Sequence, residues 1–235
     1  MSGTLALLRK ELLTYFRSPI AYFVVAVFLV GTGYFFSYNV FLTGDATMHA
    51  TFQSIGILAI VLLPMVSMRL FSAEYSARTM ELLASLPLAP WQVVLGKYLG
   101  ALAILLLLTL GTTVNLVPLY LYGNPETTTI LSGYIGFLLL GMACLALGQL
   151  FSALTHNQIV AALLTLCVLL GFWLVGHLQS FQYSYELRSL FRHLSFSLHY
   201  GNFVQGLVRS ESIAFYLAVC AVALTLNAAW LEWRR

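Results

Sequence analysis

At residues 127–185 the sequence runs TTTILSGYIGFLLLGMACLALGQLFSALTHNQIVAALLTLCVLLGFWLVGHLQSFQYSY, without a single Asp, Glu, Lys or Arg. A helix needs about 20 consecutive apolar residues to cross the hydrocarbon core of a bilayer, so this stretch has room for two. The polar residues at 155–158 supply a turn between them. We therefore predict two membrane-spanning helices here, at residues 131–153 and 159–178.

Shorter uncharged runs on either side predict four more spans, at residues 20–40, 52–70, 98–120 and 212–231. The overall composition agrees, because 60% of the residues are hydrophobic and only 8% are charged. An ordinary soluble domain has about 25% charged residues. We predict an all-α integral membrane protein with a single domain over residues 1–235. The net charge of +3 is too small to indicate nucleic-acid binding.

The basic residues predict which side of the membrane each loop faces, since Lys and Arg accumulate in cytoplasmic loops. With a cytoplasmic N-terminus, only Arg188, Arg192 and Arg209 of the 11 basic residues face outside. The others face the cytoplasm: Arg9, Lys10, Arg17, Arg69, Arg78, Lys97, Arg234 and Arg235. Six spans return the C-terminus to the same side, so both termini are predicted to be cytoplasmic.

Residues 4–17 precede the first span and have an amphipathic pattern. Leu5, Leu8, Leu12 and Tyr15 recur at helical spacing, and Lys10 lies on another side. This pattern is typical of a helix that lies in the membrane interface. Pro19 should end it, because the residue before a proline avoids the helical conformation. The alternative is a simple cytoplasmic extension of the first span.

Residues 72–97 between the second and third spans predict a short amphipathic helix on the cytoplasmic face. Glu74 and Arg78 are four residues apart, and Arg78 and Glu81 are three apart, so both pairs can form across a helix surface. Pro87 cannot continue a helix, which predicts a helix over residues 74–86. Such a helix suits docking into another protein, whereas the plainer alternative is a solvated loop helix.

These residues carry a resemblance to a known family. Glu74, Arg78-Thr79-Met80-Glu81-Leu82-Leu83, Leu86-Pro87-Leu88 and Val94-Leu95-Gly96-Lys97 resemble the coupling-helix signature of ABC-2 type transporter permeases. The similarity extends over nearly the whole chain and is strongest to the branch with gliding-motility and nitrous-oxide-reductase-maturation permeases. One departure is Arg78, at a position where many relatives have glycine before the threonine.

The resemblance implies a permease subunit of an ATP-driven exporter in a bacterial-type inner membrane. ATP and magnesium would be bound by a separate cytoplasmic ATPase, in agreement with the absence of a Gly-x4-Gly-Lys-Ser/Thr phosphate loop from this sequence. The implied partners are two ATPase subunits and a second permease, either identical or a diverged sister. The residues predicted to couple to the ATPase are Glu74, Arg78, Met80, Glu81, Leu82 and Leu83.

Residues 179–211 precede the last span and are rich in aromatic side chains, which favour the membrane interface. The pattern predicts a helical or re-entrant segment on the outer side. ABC-2 relatives have short helices here that form an outer gate, so the resemblance implies gate roles for Phe191 and Phe196. The alternative is an interfacial helix that only anchors the sixth span.

Few polar residues fall inside the predicted spans. Arg69 and Lys97 lie at cytoplasmic ends, where snorkelling to the lipid headgroups is their expected role. Asn115 and Gln149 lie deeper; we expect hydrogen bonds between helices, with contact to a polar substrate as the alternative. The pattern predicts no catalytic residues and no metal site. An intramembrane enzyme and a non-transporting membrane scaffold remain the competing functions.

Overall fold

The computed structural model describes residues 3–43, 48–80, 88–122, 125–178 and 191–233, and most of these residues are helical. The helices are α1 Gly3–Phe16, α2 Pro19–Thr43, α3 His49–Ser67, α4 Arg69–Ser76, α5 Pro90–Thr112, α6 Leu116–Tyr122, α7 Thr127–Leu154, α8 Gln158–Leu178, α9 Phe196–Val204 and α10 Ser210–Trp233. A 3-10 turn at Thr113–Asn115 joins α5 to α6. The all-α prediction is confirmed for the part of the chain that the structure describes.

Within the described part of the chain, six segments are long and apolar enough to cross a membrane, as the sequence predicts. They are Pro19–Val40, His49–Ser76, Pro90–Leu121, Thr127–Leu154, Gln158–Gly176 and Ser210–Trp233. The helices extend beyond the predicted spans at two places, since the second segment continues to Ser76 and the third begins at Pro90. Counting between charges placed these limits at Arg69 and Lys97. Both charged side chains have protein partners there, two carboxylates for Lys97 and the Ser18 hydroxyl for Arg69, as described below.

The centre of the bundle is α7, which packs against α3, α5, α9 and α10. Glycines allow the close approach: a Cβ atom at Gly133 would lie 2.5 Å from the Phe52 ring, and one at Gly136 would lie 2.5 Å from Phe203 Cβ. The segments built from α2, α8 and α10 lie at the periphery, since only 22–28% of each is buried against 56–61% of the other three. In a membrane protein such peripheral faces contact lipid or another subunit.

Hydrogen bonds between helices define two ends of the bundle. At one end Trp230 Nε1 donates to the carbonyl of Ala153, which brings the C-termini of α10 and α7 together. The helices α1 and α4 lie at this end, which we call the basic end. At the other end Ser132 Oγ donates to the carbonyl of Phe203 and so joins α7 to α9. We call this the aromatic end.

Candidate functional site

A buried lysine lies at the centre of the basic end. Lys97 Nζ is 2.8 Å from Glu11 Oε1 and 3.1 Å from Glu74 Oε2, and the Lys97 side chain is only 1% exposed. Removing an ion from water costs several kcal/mol, which excellent partner geometry must offset. Here a hydrogen bond to the Glu11 carboxylate of α1 and the nearby charge of the Glu74 carboxylate of α4 offset this cost.

A second lysine completes this cluster. Lys10 Nζ lies 3.2 Å from Glu74 Oε1, so two lysines face two glutamates. We call Lys10, Glu11, Glu74 and Lys97 the lysine node. The Lys97 ammonium also lies 5.2 Å from the centre of the Phe71 ring, at a distance typical of a cation–π contact. The node therefore joins three helices, α1, α4 and α5, through charges that balance one another.

The position of α1 in the node follows from small residues on α5. A Cβ atom at Gly96 would lie 2.9 Å from Leu7 Cδ2, and one at Gly100 would lie 2.8 Å from Glu11 Cβ. Larger residues at these positions would push α1 away and separate Glu11 from Lys97. The two glycines, one turn apart, therefore form the groove that admits α1.

A neutral hydrogen bond holds the far end of α1. Tyr15 is buried, and its hydroxyl donates to the carbonyl of Val66 over 3.1 Å. Burial raises the pKa of Tyr15 well above its ordinary value, so the hydroxyl keeps its proton as a donor. Because α1 ends at Phe16 and α2 starts at Pro19, α1 is a separate helix docked on the bundle. Helix α1 is therefore not continuous with the helix of the first span, and its place in the membrane interface stays a prediction.

The junction between α3 and α4 is fixed by one hydroxyl from α7. Ser152 Oγ accepts from the backbone N–H of Phe71 at 3.0 Å and of Ser72 at 3.1 Å, and it donates to the carbonyl of Met68 at 2.7 Å. These bonds satisfy backbone groups where the helix is interrupted. They also tie the start of α4, and thus Glu74, to the central helix.

The predicted helix over residues 74–86 is interrupted, which is a correction. Helix α4 ends at Ser76, and Arg78 has a φ of +54° in the left-handed region. The N–H of Arg78 donates to the carbonyl of Tyr75 at 3.2 Å, and that of Thr79 donates to Glu74 at 3.0 Å. This pair of bonds is the Schellman arrangement that closes helix C-termini. Glycine tolerates such a φ best, because it has no Cβ atom. The glycine that many relatives have at this position therefore fits a turn that ends the helix.

The break redirects the predicted ion pairs. Glu74 contacts Lys97 and Lys10 rather than Arg78, whose side chain is exposed. Helical structure resumes at Met80, which is partly buried and packs against the core. The other predicted coupling residues, Glu81, Leu82 and Leu83, lie outside the described residues.

The sequence argument missed Glu11 and misjudged Lys97. Lys97 was expected to snorkel towards lipid headgroups, but it is enclosed by protein. A signal was present: Glu11 lies four residues from both Leu7 and Tyr15, on the apolar side of α1, where an unpaired carboxylate would be costly. Arg69 was also expected to snorkel; it is partly buried, and its guanidinium donates to Ser18 Oγ.

A comparison with models of known protein families identifies the family of this chain. The family model described as ABC-2 family transporter protein matches residues 5–228, which is nearly the whole chain. The chain belongs to the ABC-2 family. A search of curated proteins finds no match. The protein is thus a multi-pass membrane permease of an ABC system, and this family normally works with an ABC ATPase.

At its aromatic end the ABC-2 permease encloses one of the two predicted gate residues. Phe196 is completely buried; its ring stacks on Phe172 at 5.0 Å and meets Tyr216 edge-on at 5.5 Å. Tyr200, one turn along α9, donates its hydroxyl to the carbonyl of Phe52 at 2.7 Å. Helix α9 is therefore part of the packed bundle and not only an anchor for the last span. Phe191 is partly buried, and the gate role of both residues stays a prediction.

A buried histidine links α9 to the start of α10 in the permease. His199 Nδ1 is 3.0 Å from Ser212 Oγ, and its Nε2 is 3.2 Å from the carbonyl of His193. A carbonyl can only accept, so Nε2 carries the proton and Nδ1 accepts from Ser212. Burial lowers the pKa of His199, which favours this neutral form. The imidazole also stacks on Phe215 at 4.4 Å.

The two predicted contacts to a polar substrate lie apart in the permease. Gln149 is buried near the basic end, where its Nε2 donates to the carbonyl of Val94 at 2.9 Å. This is the hydrogen bond between helices that we expected. Asn115 lies in the 3-10 turn after α5, towards the aromatic end. Among the described residues, no three His, Cys, Asp or Glu side chains form a group that could hold a metal ion.

Proposed function

We propose that this protein is the transmembrane permease subunit of an ATP-driven ABC-2 exporter. It would move its substrate out of the cytoplasm or the inner leaflet, using ATP and magnesium bound by two copies of a separate ATPase. A second permease, identical or diverged, would complete the transporter in a bacterial-type inner membrane with both termini in the cytoplasm. The observation that carries this proposal is the lysine node, which joins the segment leading to Met80 to two other helices.

The node is suited to transmitting force because its members resist separation. If an ATPase moves the chain at Met80, the displacement reaches α4 within one short turn. Pulling Glu74 away from Lys97 would leave buried charges unpaired, and breaking such a pair typically costs about 3–5 kcal/mol. Helices α1, α4 and α5 should therefore move together, so that a push on α4 reaches the third span.

The ATPase contact itself would come from the residues after the Schellman turn. Met80, Leu82 and Leu83 would supply apolar contact, and Arg78 and Glu81 would fix the orientation of docking. The turn at Arg78 supports this division, because it directs the chain away from α4 and leaves the Arg78 side chain exposed. Glu74 has a different role from the one expected: it holds the coupling segment to the node.

The test is co-purification of an ABC ATPase with the permease. We expect Leu82→Asp with Leu83→Asp to abolish co-purification while the permease still inserts into the membrane. The matched control is Leu207→Asp with Val208→Asp, two exposed apolar neighbours at the aromatic end. If the first double variant still binds its ATPase and transports normally, the coupling assignment is wrong. Loss of the ATPase without any loss of the protein's cellular role would favour the scaffold function.

The route of the substrate is a second part of the proposal. Asn115 and Gln149 remain its candidate polar contacts, one towards each end of the bundle. Phe191 is the better gate candidate of the aromatic pair, because Phe196 has no exposed surface. Alanine at Phe191 should change substrate-stimulated ATP turnover; unchanged turnover and transport would leave the gate without support.

A further inference from the structure

On the side of α1 that faces away from α5, the exposed side chains Arg9, Leu13 and Phe16 are basic or apolar. The one carboxylate of α1, Glu11, is buried against Lys97. Leu13 and Phe16 are each 48% exposed, although both are large and apolar. Arg9 and Arg17 flank them and are exposed as well. An apolar pair between two arginines thus has about half of its surface left uncovered by the described chain.

The spacing places these residues on one surface. Arg9, Leu13 and Arg17 are four residues apart, so they follow one another along the same side of the helix. The two arginine Cα atoms are about 12 Å apart at 1.5 Å per residue. Leu7, Glu11 and Tyr15 form the opposite, buried stripe. Helix α1 therefore presents one side to the protein and the other side outwards.

Neighbouring aromatic residues indicate what lies outside. Trp91 at the start of α5 is 55% exposed, and Tyr22 near the start of α2 is 60% exposed. Both belong to the basic end, and exposed Trp and Tyr side chains at span ends are typical of the depth of lipid headgroups. Helix α1 packs against α5 and is followed directly by α2, the two helices that carry these aromatic residues. Its outward side therefore lies at the same depth.

We propose that this surface of α1, comprising Arg9, Leu13, Phe16 and Arg17, binds anionic phospholipids. The two guanidinium groups contact headgroup phosphates with paired hydrogen bonds, and Leu13 and Phe16 enter the acyl-chain boundary. This surface is cationic because the carboxylates of Glu11 and Glu74 do not reach it: both pair with lysines inside the lysine node. An acidic protein partner would not require the two apolar side chains between the arginines. Lipid binding needs no ATPase, so this inference stands apart from the proposed function.

The test is native mass spectrometry of the full-length permease in detergent, titrated with phosphatidylglycerol or with phosphatidylcholine of the same acyl chains. A basic residue near an anionic surface contributes about fivefold in affinity, which predicts a preference of roughly 10- to 30-fold for phosphatidylglycerol. Arg9→Gln with Arg17→Gln should remove the preference. Arg9→Lys with Arg17→Lys should retain most of it and shows that the site survives substitution. Arg209→Gln, an exposed arginine at the aromatic end, is the matched control.

Equal binding of the two lipids by the wild-type permease would overturn the proposal. So would an unchanged preference in the double glutamine variant, and loss of ATPase co-purification in that variant would then assign the surface to a protein partner. Thermal melting of each variant separates loss of binding from loss of folding. The wild-type preference should also fall as salt rises from about 0.05 to 0.5 M, since exposed charges are screened.

Discussion

The two ends of the bundle each hold a short helix against the spans, but they use different chemistry. At the basic end, charges carry the attachment of α1 and α4, with Lys97 within 3.1 Å of both glutamates. At the aromatic end, rings and neutral hydrogen bonds embed α9, as the contacts of Phe196 and Tyr200 illustrate.

The two attachments differ in how much free energy is lost when their partners are displaced. A buried ion pair is costly when one partner leaves, because the other charge remains without solvent. Ring packing loses energy more gradually, in proportion to the atoms removed and the cavity left. An attachment of the first kind moves as a unit, whereas one of the second kind can slide. This contrast is consistent with the proposal that the basic end transmits force from the ATPase.

The largest effect should come from Lys97→Met, which keeps the length of the side chain and removes its charge. Glu11 and Glu74 would then face each other inside the protein, so we expect a loss of about 3–5 kcal/mol of stability and uncoupled ATP turnover. Thermal denaturation in detergent and transport per ATP measure the two effects. Lys10→Met is the control, because the Lys10 side chain is 58% exposed and its pair should contribute at most about 1 kcal/mol.

A triple variant sharpens this test. Adding Glu11→Gln and Glu74→Gln to Lys97→Met removes the unpaired charges, so much of the lost stability should return. Coupling should not return, because the amides no longer hold α1 and α4 to α5 through charge. If stability stays as low as in Lys97→Met alone, then packing rather than electrostatics explains the loss.

The next effect lies at the aromatic end. Phe196→Ala should reduce stability by about 3 kcal/mol, since it leaves a cavity among Phe172, Phe215 and Tyr216. Phe196→Leu fills most of that space and should cost much less. We expect both variants to retain coupling to the ATPase, unlike Lys97→Met. Uncoupling by Phe196→Ala at unchanged stability would contradict the contrast between the two ends.

A smaller effect, of opposite sign, is expected at the turn after α4. A left-handed conformation costs a residue with a Cβ atom about 1–2 kcal/mol, so Arg78→Gly should stabilise the turn by up to about 1 kcal/mol. Hydrogen exchange of the amides of Arg78 and Thr79 measures this locally. Ala77→Gly is the control, because Ala77 has a φ of −82° and gains nothing from glycine. If both substitutions change hydrogen exchange equally, the change reflects only the added backbone flexibility of glycine and not relief of the left-handed conformation.

These residues also show how far sequence reasoning reaches. The six spans could be predicted because hydropathy is a local property of about 20 residues. The node could not, because it depends on residues 11, 74 and 97, which are distant in sequence and meet only through tertiary packing. Charges were taken as limits of spans, and that rule fails where charges pair inside the protein. The glycine that many relatives have at position 78 was noted, but the helix was still predicted to run through Arg78; the left-handed φ of that residue shows that the helix breaks there.

The smallest effect concerns pH at the aromatic end. Burial lowers the pKa of His199 below its ordinary 6.5, so the folded protein resists a proton that the unfolded chain accepts. Stability is therefore unaffected above about pH 6.5 and falls as pH drops from there towards the folded pKa.

Melting temperatures at pH 7.5 and pH 5.5 should differ more for the wild type than for His199→Gln. The groups facing His199 include Ser212 and the carbonyl of His193, and the His193 side chain lies 3.4 Å from the Glu211 carboxylate at the same end. If His199→Gln and the wild type lose stability equally in acid, His199 is not the residue that makes this end sensitive to pH.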